Sequence, residues 1–232
     1  MMPKIYSASL KEVEKLSDDV SYFTFNLDSS MSFEPGQFVM LAMEIDGEKV
    51  KRAYSIVSSP ESTKELGFCI KVLKDGKLSP ALNSIKKGDL VEIQGPYGKF
   101  SLSEPKLDQL FIAAGTGVAP LLPMLKSYLE NESGNVSLLF GFRHENDFLF
   151  REELEALLSK YSNFTLIPVM SRPSESWTGL KGHVTVYVAD NVHDSSRTIA
   201  YICGRNEMVL DVRKALIEAG LSPERIKIDN WG

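Results

Sequence analysis

The chain has 232 residues, 43% hydrophobic and 25% charged, with a formal net charge of −5, which describes an ordinary soluble protein of one large domain or two of roughly 100–150 residues. The acidic balance argues against a nucleic-acid partner, which needs a basic footprint, and no block of Lys and Arg suits an anionic membrane surface. Two cysteines, Cys69 and Cys203, are too few for a disulfide framework or a four-thiolate iron–sulfur or zinc site, and His144, His183 and His193 lack metal-like spacing, so no metal site is expected.

In chain order, the first twenty residues lack the apolar run of a secretory signal, and the most apolar window, 110–125, is shorter than the ~20 residues of a spanning helix, so a cytoplasmic protein is expected. From residue 4 to about 95 short alternating segments are separated by turns, the mark of antiparallel strands. Phe23, Phe25 and Leu27 alternate with Thr24 and Asn26; Leu66, Phe68, Ile70 and Val72 alternate with Gly67, Cys69 and Lys71. Between them lie a strand from Gln37 to Ile45, a turn at Asp46-Gly47, and a strand from Lys51 to Val57. Val91 and Ile93 make a last strand before a turn at Gly95-Pro96-Tyr97-Gly98. About six such strands close most naturally into a small barrel.

Two stretches of this half carry candidate chemistry. On the strand Arg52-Ala53-Tyr54-Ser55, alternation puts Arg52 and Tyr54 on one face and Ala53 and Ser55 on the other. Those residue types can bind a phosphate, stack on a ring and hydrogen-bond its edge, although the tetrapeptide alone equally describes an edge strand with a solvated arginine. Gly76-Lys77-Leu78-Ser79-Pro80 predicts a short helix with Ser79 as N-cap and Pro80 as first residue, ending at Gly88. Its free N–H groups suit a pyrophosphate, and equally need no ligand at all.

After Pro105 strands alternate with helices, which implies a parallel sheet. Strands are expected at Gln109–Ala114, Val136–Phe142, Phe164–Met170, Thr198–Cys203 and Ile226–Ile228, and helices at Val118–Leu129, Arg151–Lys160, a weaker one at His183–Asp190, and Asn206–Ala219. Leu154, Leu157, Leu158 and Tyr161 share one helical face; Asn206 is placed to cap the last helix and Gly220 to close it. The first strand runs into Gly115-Thr116-Gly117-Val118-Ala119-Pro120, a tight turn and helix start that aims main-chain N–H groups at a phosphate, or serves as a plain turn. Ligands of such sheets sit at the carboxyl ends of the strands, which here carry Gly115–Gly117, Gly141–Arg143, Ser171-Arg172 and Cys203-Gly204.

Taken in order, R-A-Y-S, G-K-L-S, G-P-Y-G, G-T-G-V-A-P and C-G-x-x-x-M, with the aromatic Trp231 before Gly232, resemble the ferredoxin–NADP⁺ reductase superfamily from about residue 5 to Trp231. The resemblance implies an N-terminal antiparallel six-stranded FAD-binding β-barrel, residues 1–104, and a C-terminal α/β parallel-sheet NAD(P)-binding domain, residues 105–232, with flavin ring and nicotinamide meeting at the cleft between them. It implies that Arg52 holds the FAD pyrophosphate, Tyr54 stacks on the isoalloxazine and Ser55 hydrogen-bonds near N5. Ile70, Lys71 and Val72 fall where relatives line the ribityl and adenosine part, and Gly76, Leu78 and Ser79 match the pyrophosphate turn. Gly115, Thr116, Gly117 and Pro120 then cradle the nicotinamide dinucleotide, while Cys203, Gly204 and Met208 lie beside the nicotinamide. Trp231 takes the place of the ring that covers the flavin and yields to nicotinamide, or is a packing anchor; Arg205-Asn206 stand where many relatives have proline after C-G.

The activity so implied is that of an FAD-dependent NAD(P)H oxidoreductase: hydride passes from nicotinamide C4 to flavin N5, with Ser55, Cys203 and Trp231 at the reacting atoms. Cys203 is a packing and polarity element there, since hydride transfer needs no covalent intermediate. Electrons go to, or come from, a separate ferredoxin, flavodoxin, oxygenase component or free flavin. Ser171-Arg172, helped by Arg143 or Lys181, resembles a 2′-phosphate site and favours NADPH, although Ser-Arg-Pro followed by Trp177 and Gly179 also resembles NADH-using oxygenase reductases. Two other readings stay open: a reductase with flavin as substrate, and a non-catalytic electron-transfer subunit of a larger complex.

Overall fold

Phe23 and Phe25 are fully buried and Leu27 nearly so, while Thr24 is half-buried and Asn26 exposed, the two-residue period of a strand with one wet face. The computed structural model describes residues 3–104, 106–132 and 134–231, apart from the side chain of Trp231. The chain divides into two compact units, Met1–Ser101 and Leu102–Gly232. Pro105, where the texture of the sequence changes, lies outside the described residues.

The first unit is one antiparallel sheet of six strands: β1 (Lys4–Lys15), β2 (Val20–Leu27), β3 (Phe38–Ile45), β4 (Glu48–Ser55), β5 (Glu65–Lys71) and β6 (Leu90–Tyr97), in the order β4-β3-β6-β1-β2-β5. The sheet curls around Phe23, Phe25, Leu41, Phe68 and Ile93, each side chain worth about 1.5–3 kcal/mol of burial. Its edge strands are not paired by a ladder. Among the described residues they are joined by Val57 N–H to Gly67 O (2.9 Å), and Ser58 Oγ accepts Gly67 N–H at 3.0 Å. Gly67 has no room for a side chain, because a Cβ there would overlap the Tyr22 hydroxyl.

Two local expectations fail here for tertiary reasons. Gly95, Pro96 and Tyr97 extend β6 instead of turning, and only Gly98 has positive φ, +100°. The β3–β6 register shifts between Phe38 and Met40, and that bulge accommodates Pro96, which cannot donate to a ladder. The short helix α1 (Leu78–Leu82) starts two residues early, with Lys77 and not Ser79 at the cap. Leu78 and Leu82 are core residues that pin the helix, and Ser79 Oγ instead accepts Leu73 N–H at 3.0 Å, fastening the loop before it.

The second unit is a parallel sheet of β7 (Asp108–Ala114), β8 (Val136–Phe142), β9 (Phe164–Met170), β10 (Leu180–Lys181), β11 (Thr198–Arg205) and β12 (Ile226–Trp231), in the order β10-β9-β8-β7-β11-β12. Helices α2 (Val118–Asn131), α3 (Arg151–Lys160) and α4 (Asn206–Glu218) connect them. β7 is buried along its five central residues, as an apolar run covered on both faces should be. The chain steps outward from β7 to β10, then returns to place β11 on the other side of β7, so the strand order reverses between β7 and β11.

Five details differ from expectation. The helix drawn at His183–Asp190 is two 3₁₀ turns, Val184–Tyr187 and Ala189–Asn191; the core buries Val184 and Val188 of this stretch and takes Tyr187 in part. α3 buries Leu154 alone and leaves Leu158 43% exposed, a narrower face than its leucines suggest. β12 runs on to Trp231, and the two-residue β10 carried too little pattern to be drawn. α4 begins at Asn206 with Arg205 at the cap, so Asn206 does not cap it; Gly220 (φ +95°) closes it as expected. Among the described residues no helix is long and apolar enough to cross a membrane, and no cluster of His, Cys, Asp and Glu could hold a metal ion.

Candidate functional site

On β4, Val50, Arg52 and Tyr54 lie opposite Met43, Leu41 and Val39 of β3. Leu41 and Val39 are fully buried, yet Arg52 is exposed. A cation on the core-facing side of a sheet that still reaches solvent marks a place where the core stands open. Arg52 Nη1 donates to Lys51 O at 2.7 Å, and among the described residues no carboxylate pairs with it. Tyr54 is half-buried against the core; burial pushes its phenol up to about 12, with the Arg52 charge pulling the other way. The ring is therefore neutral, its face at the rim of the core. Ser55, half-buried on the opposite face, stands across from Phe38, which stacks on Tyr97 at 5.6 Å.

Helix α1 packs against β3 and β4 and so brings the Gly76–Ser79 turn to the strand of Arg52. Lys77 Nζ reaches Glu48 at 3.2 Å, tying the turn to the start of β4. Ile70 and Leu78 spend their side chains on the core and can offer a ligand only main chain. Lys71 pairs with Asp19 at 2.6 Å, and half-buried Val72 donates its N–H to Asp19 O at 2.7 Å. A guanidinium that meets no carboxylate among the described residues, an aromatic face and a hydroxyl within four residues fit the pyrophosphate and ring of FAD.

In the second unit the expected motifs converge on the carboxyl edge of the sheet. Gly115–Gly117 forms a 3₁₀ turn after β7, and Cys203-Gly204 ends β11. These two stretches flank the point where strand order reverses, the usual ligand crevice of an open α/β sheet. The two glycines do different work. Gly115 has φ +55° and a Cβ there would meet nothing within 4 Å, so its surface is open to a ligand. At Gly117 a Cβ would overlap the carbonyl of Cys203, so that glycine lets the turn pack on β11. Thr116 is half-buried, Pro120 lies buried in the first turn of α2, and the Met208 sulfur sits 3.3 Å from where a Cβ on Gly204 would be. One edge of the crevice is thus main chain without side chains, which fits a dinucleotide phosphate.

Further along the same edge, Ser171 N–H donates to Phe142 O and Arg172 N–H to Arg143 O, both at 2.9 Å. Arg143 and Arg172 are thereby neighbours, both exposed, and among the described residues neither meets a carboxylate. Lys181 follows on β10, also exposed.

Cys203 is fully buried, and burial first, then the charge of Asp229, hold its thiol well above the usual range. Asp229 is the residue that sequence reasoning passed over. It stands beside Cys203 in the β11–β12 register, with Sγ to Oδ2 at 4.0 Å, and burial pushes its carboxyl up to about 6. Extending the strand Ile226–Ile228 by one residue would have brought it onto β12, beside Cys203. Trp231 is in register with Arg205, but its side chain lies outside the described residues. A polar cleft of about 250 Å³ lined by Asp108, Asn135, Asn163 and His193 sits at the amino ends of the strands, away from every one of these groups.

The two sites define a flavin- and nicotinamide-dinucleotide-binding oxidoreductase. Residues 7–102 match the family described as oxidoreductase FAD-binding domain, and residues 111–214 match the oxidoreductase NAD-binding domain. The chain is 31% identical over 237 residues to ferredoxin–NADP reductase B of Sorangium cellulosum, covering 97% of both chains. It is 32% identical over 222 residues to the toluate 1,2-dioxygenase electron transfer component of Pseudomonas putida, covering 94% of this chain and 65% of that protein. In fold it is similar to a ferredoxin NADP⁺ reductase from Neisseria gonorrhoeae with bound FAD and NADP, with TM-score 0.87, 23% identity and 98% of both chains covered. The chain belongs to the ferredoxin–NADP reductase family, FAD-dependent oxidoreductases that move electrons between NAD(P)H and a carrier.

Proposed function

We propose that this chain oxidises NADPH through FAD held by its first unit and passes the electrons to a separate ferredoxin- or flavodoxin-type carrier or oxygenase component. The observation that carries the reading is Arg52, an uncompensated cation on the open inner face of the sheet with Tyr54 beside it. FAD held there would supply the chemistry the chain lacks, taking up a hydride and giving up electrons singly. Everything else falls to the chain. Arg52 and the main chain of Gly76, Leu78 and Ser79 bind the pyrophosphate, Ile70, Lys71 and Val72 line the adenosine arm, Tyr54 orients the ring by stacking, and Ser55 holds a hydrogen bond at N5.

Gly115, Thr116, Gly117 and Pro120 seat the dinucleotide, with Gly204 and Met208 opposite. Cys203, a neutral buried sulfur, sets polarity and packing beside the nicotinamide, and Trp231 excludes water until nicotinamide arrives. Arg143 and Arg172, neighbours through a main-chain hydrogen bond and both exposed, suit a 2′-phosphate together with Ser171, which favours NADPH over NADH.

Purified protein tests the reading. It should be yellow, release FAD on denaturation and bleach with NADPH; a colourless protein active only with added flavin would mean that flavin is a substrate. Flavin that stays oxidised with either nicotinamide would mean a non-catalytic subunit. Arg52→Ala should stay folded and lose FAD, and unchanged occupancy would remove the pyrophosphate role.

A further inference from the structure

One face of the parallel sheet changes character toward the start of its strands. Leu110, Ser137 and Thr165 stand side by side in register, and Asp108 and Thr198, two residues earlier on β7 and β11, form the next pair. Leu110 belongs to the core, but Ser137 is half-buried and Thr165 exposed. A parallel sheet is normally apolar on both covered faces. Here two 3₁₀ turns stand in for a covering helix, and the amino ends of the strands open into the cleft of about 250 Å³. Asn135, Asn163, Asn191 and His193 complete its wall, and no Lys or Arg is among its lining residues.

The three amides are oriented by partners that can only accept. Asn135 Nδ2 donates to Asp108 Oδ1 at 3.3 Å, and Asn163 Nδ2 to Gly134 O and Asn191 Nδ2 to Tyr187 O, both at 2.7 Å. Each nitrogen is committed to the chain, so each amide is left with its carbonyl oxygen to offer. Thr198 Oγ1 likewise spends its proton on Asp194 O at 2.8 Å. Among the described residues none of the three amide oxygens accepts a hydrogen bond, and neither does Asp108 Oδ2. Arg197, next to Thr198, donates to Lys106 O at 3.4 Å and makes no ion pair with Asp108. The cleft is therefore rich in acceptors and poor in donors, with one carboxylate in its lining.

We propose that this cleft binds a small organic cation bearing a primary amine, whose ammonium donates to Asp108 and the asparagine oxygens. An ammonium brings three donors and no acceptor, the complement of this wall. A phosphate finds no cation here to bind. A hard divalent metal ion takes about 6–8 oxygens in the case of calcium, several of them carboxylates, and Asp108 supplies the single carboxylate. The volume falls below the about 300–1,000 Å³ of drug-sized pockets, so the ligand is small. It would sit at the opposite ends of the strands from the dinucleotide and would not compete with it.

The test titrates FAD-loaded protein with 1,4-diaminobutane, and with 1,4-butanediol as its neutral match, following main-chain amide shifts by NMR. The diamine should give saturable shifts at Ser137, Asn163 and His193, and the diol none at the same concentrations. Asp108→Asn keeps the oxygen that Asn135 needs and should weaken the diamine about 3–10-fold, the worth of one partly exposed charged contact. Ser162→Lys, at an exposed lining position, should supply an ammonium of its own and abolish the shifts. Shifts that never saturate, equal shifts with the diol, or wild-type affinity in either variant would overturn the proposal. So would saturation by calcium chloride at these amides with no response to the diamine, which would make the cleft a metal site.

Discussion

The carbonyl of Cys203 occupies the place where a side chain on residue 117 would begin, so the glycine turn after β7 rests directly on the end of β11. The obstructing atoms are main chain and cannot swing aside. Gly117→Ala should therefore cost about 2–4 kcal/mol of stability. Gly115→Ala has room for its methyl and should cost only about 1 kcal/mol for the positive φ, while weakening NADP⁺ binding. Thermal melts and NADP⁺ titration of both variants check this; equal losses of melting temperature would contradict the division of labour.

Arg172→Ala should weaken NADPH by tenfold or more and leave NADH within about twofold, since a charge-assisted phosphate contact is worth about 1.5–3 kcal/mol. The ratio of kcat/KM values for the two nucleotides is the measurement. An equal effect on both would assign Arg172 to the part they share and remove the reason for favouring NADPH.

Asp229 makes stability fall as pH rises. Its carboxyl sits at about 6 in the folded chain against 3.8 ordinarily, so the folded state holds its proton more tightly. Below about pH 4 both states are protonated and nothing is lost. Between about 4 and 6 the unfolded chain ionises first, and above 6 the cost levels off at no more than about 3 kcal/mol. Asp229→Asn should remove that slope and melt higher at pH 7 but not at pH 4. Identical melting differences at the two pH values would show that the carboxyl is not held this way.

Both thiols should be inert in the folded protein. Burial pushes Cys69 up to about 12 and Cys203 well above 9, so neither forms appreciable thiolate at pH 8, the species that reacts. A disulfide exchange reagent should titrate no thiol rapidly in native protein and two after unfolding. Rapid labelling of Cys203 would reopen a nucleophilic role for it.

Much of this was legible in the residues, and what was not has a common cause. Phe23, Phe25 and Leu27, the span of α3 and the glycine turn after β7 follow from local pattern, because period and turn chemistry are written within a few residues. Ser79 and Asn206 both have the chemistry and position of caps, yet both are used elsewhere, by Leu73 and Asn230. Nothing within their own helices reveals such partners. Gly117 looked like a ligand contact, and its need for a missing side chain comes from β11, far along the sequence. Asp229 escaped because its chemistry arises only when β12 is laid beside Cys203.

The seam at Val57 and Gly67 has a consequence for how the first unit fails. A sheet fastened at one main-chain bond unzips there before it melts elsewhere, so anything spanning β4 and β5 acts as a rivet. Protein stripped of flavin should then be nicked by proteases first in the stretch 58–64, and refilling it should restore resistance there before any change in bulk unfolding temperature is visible.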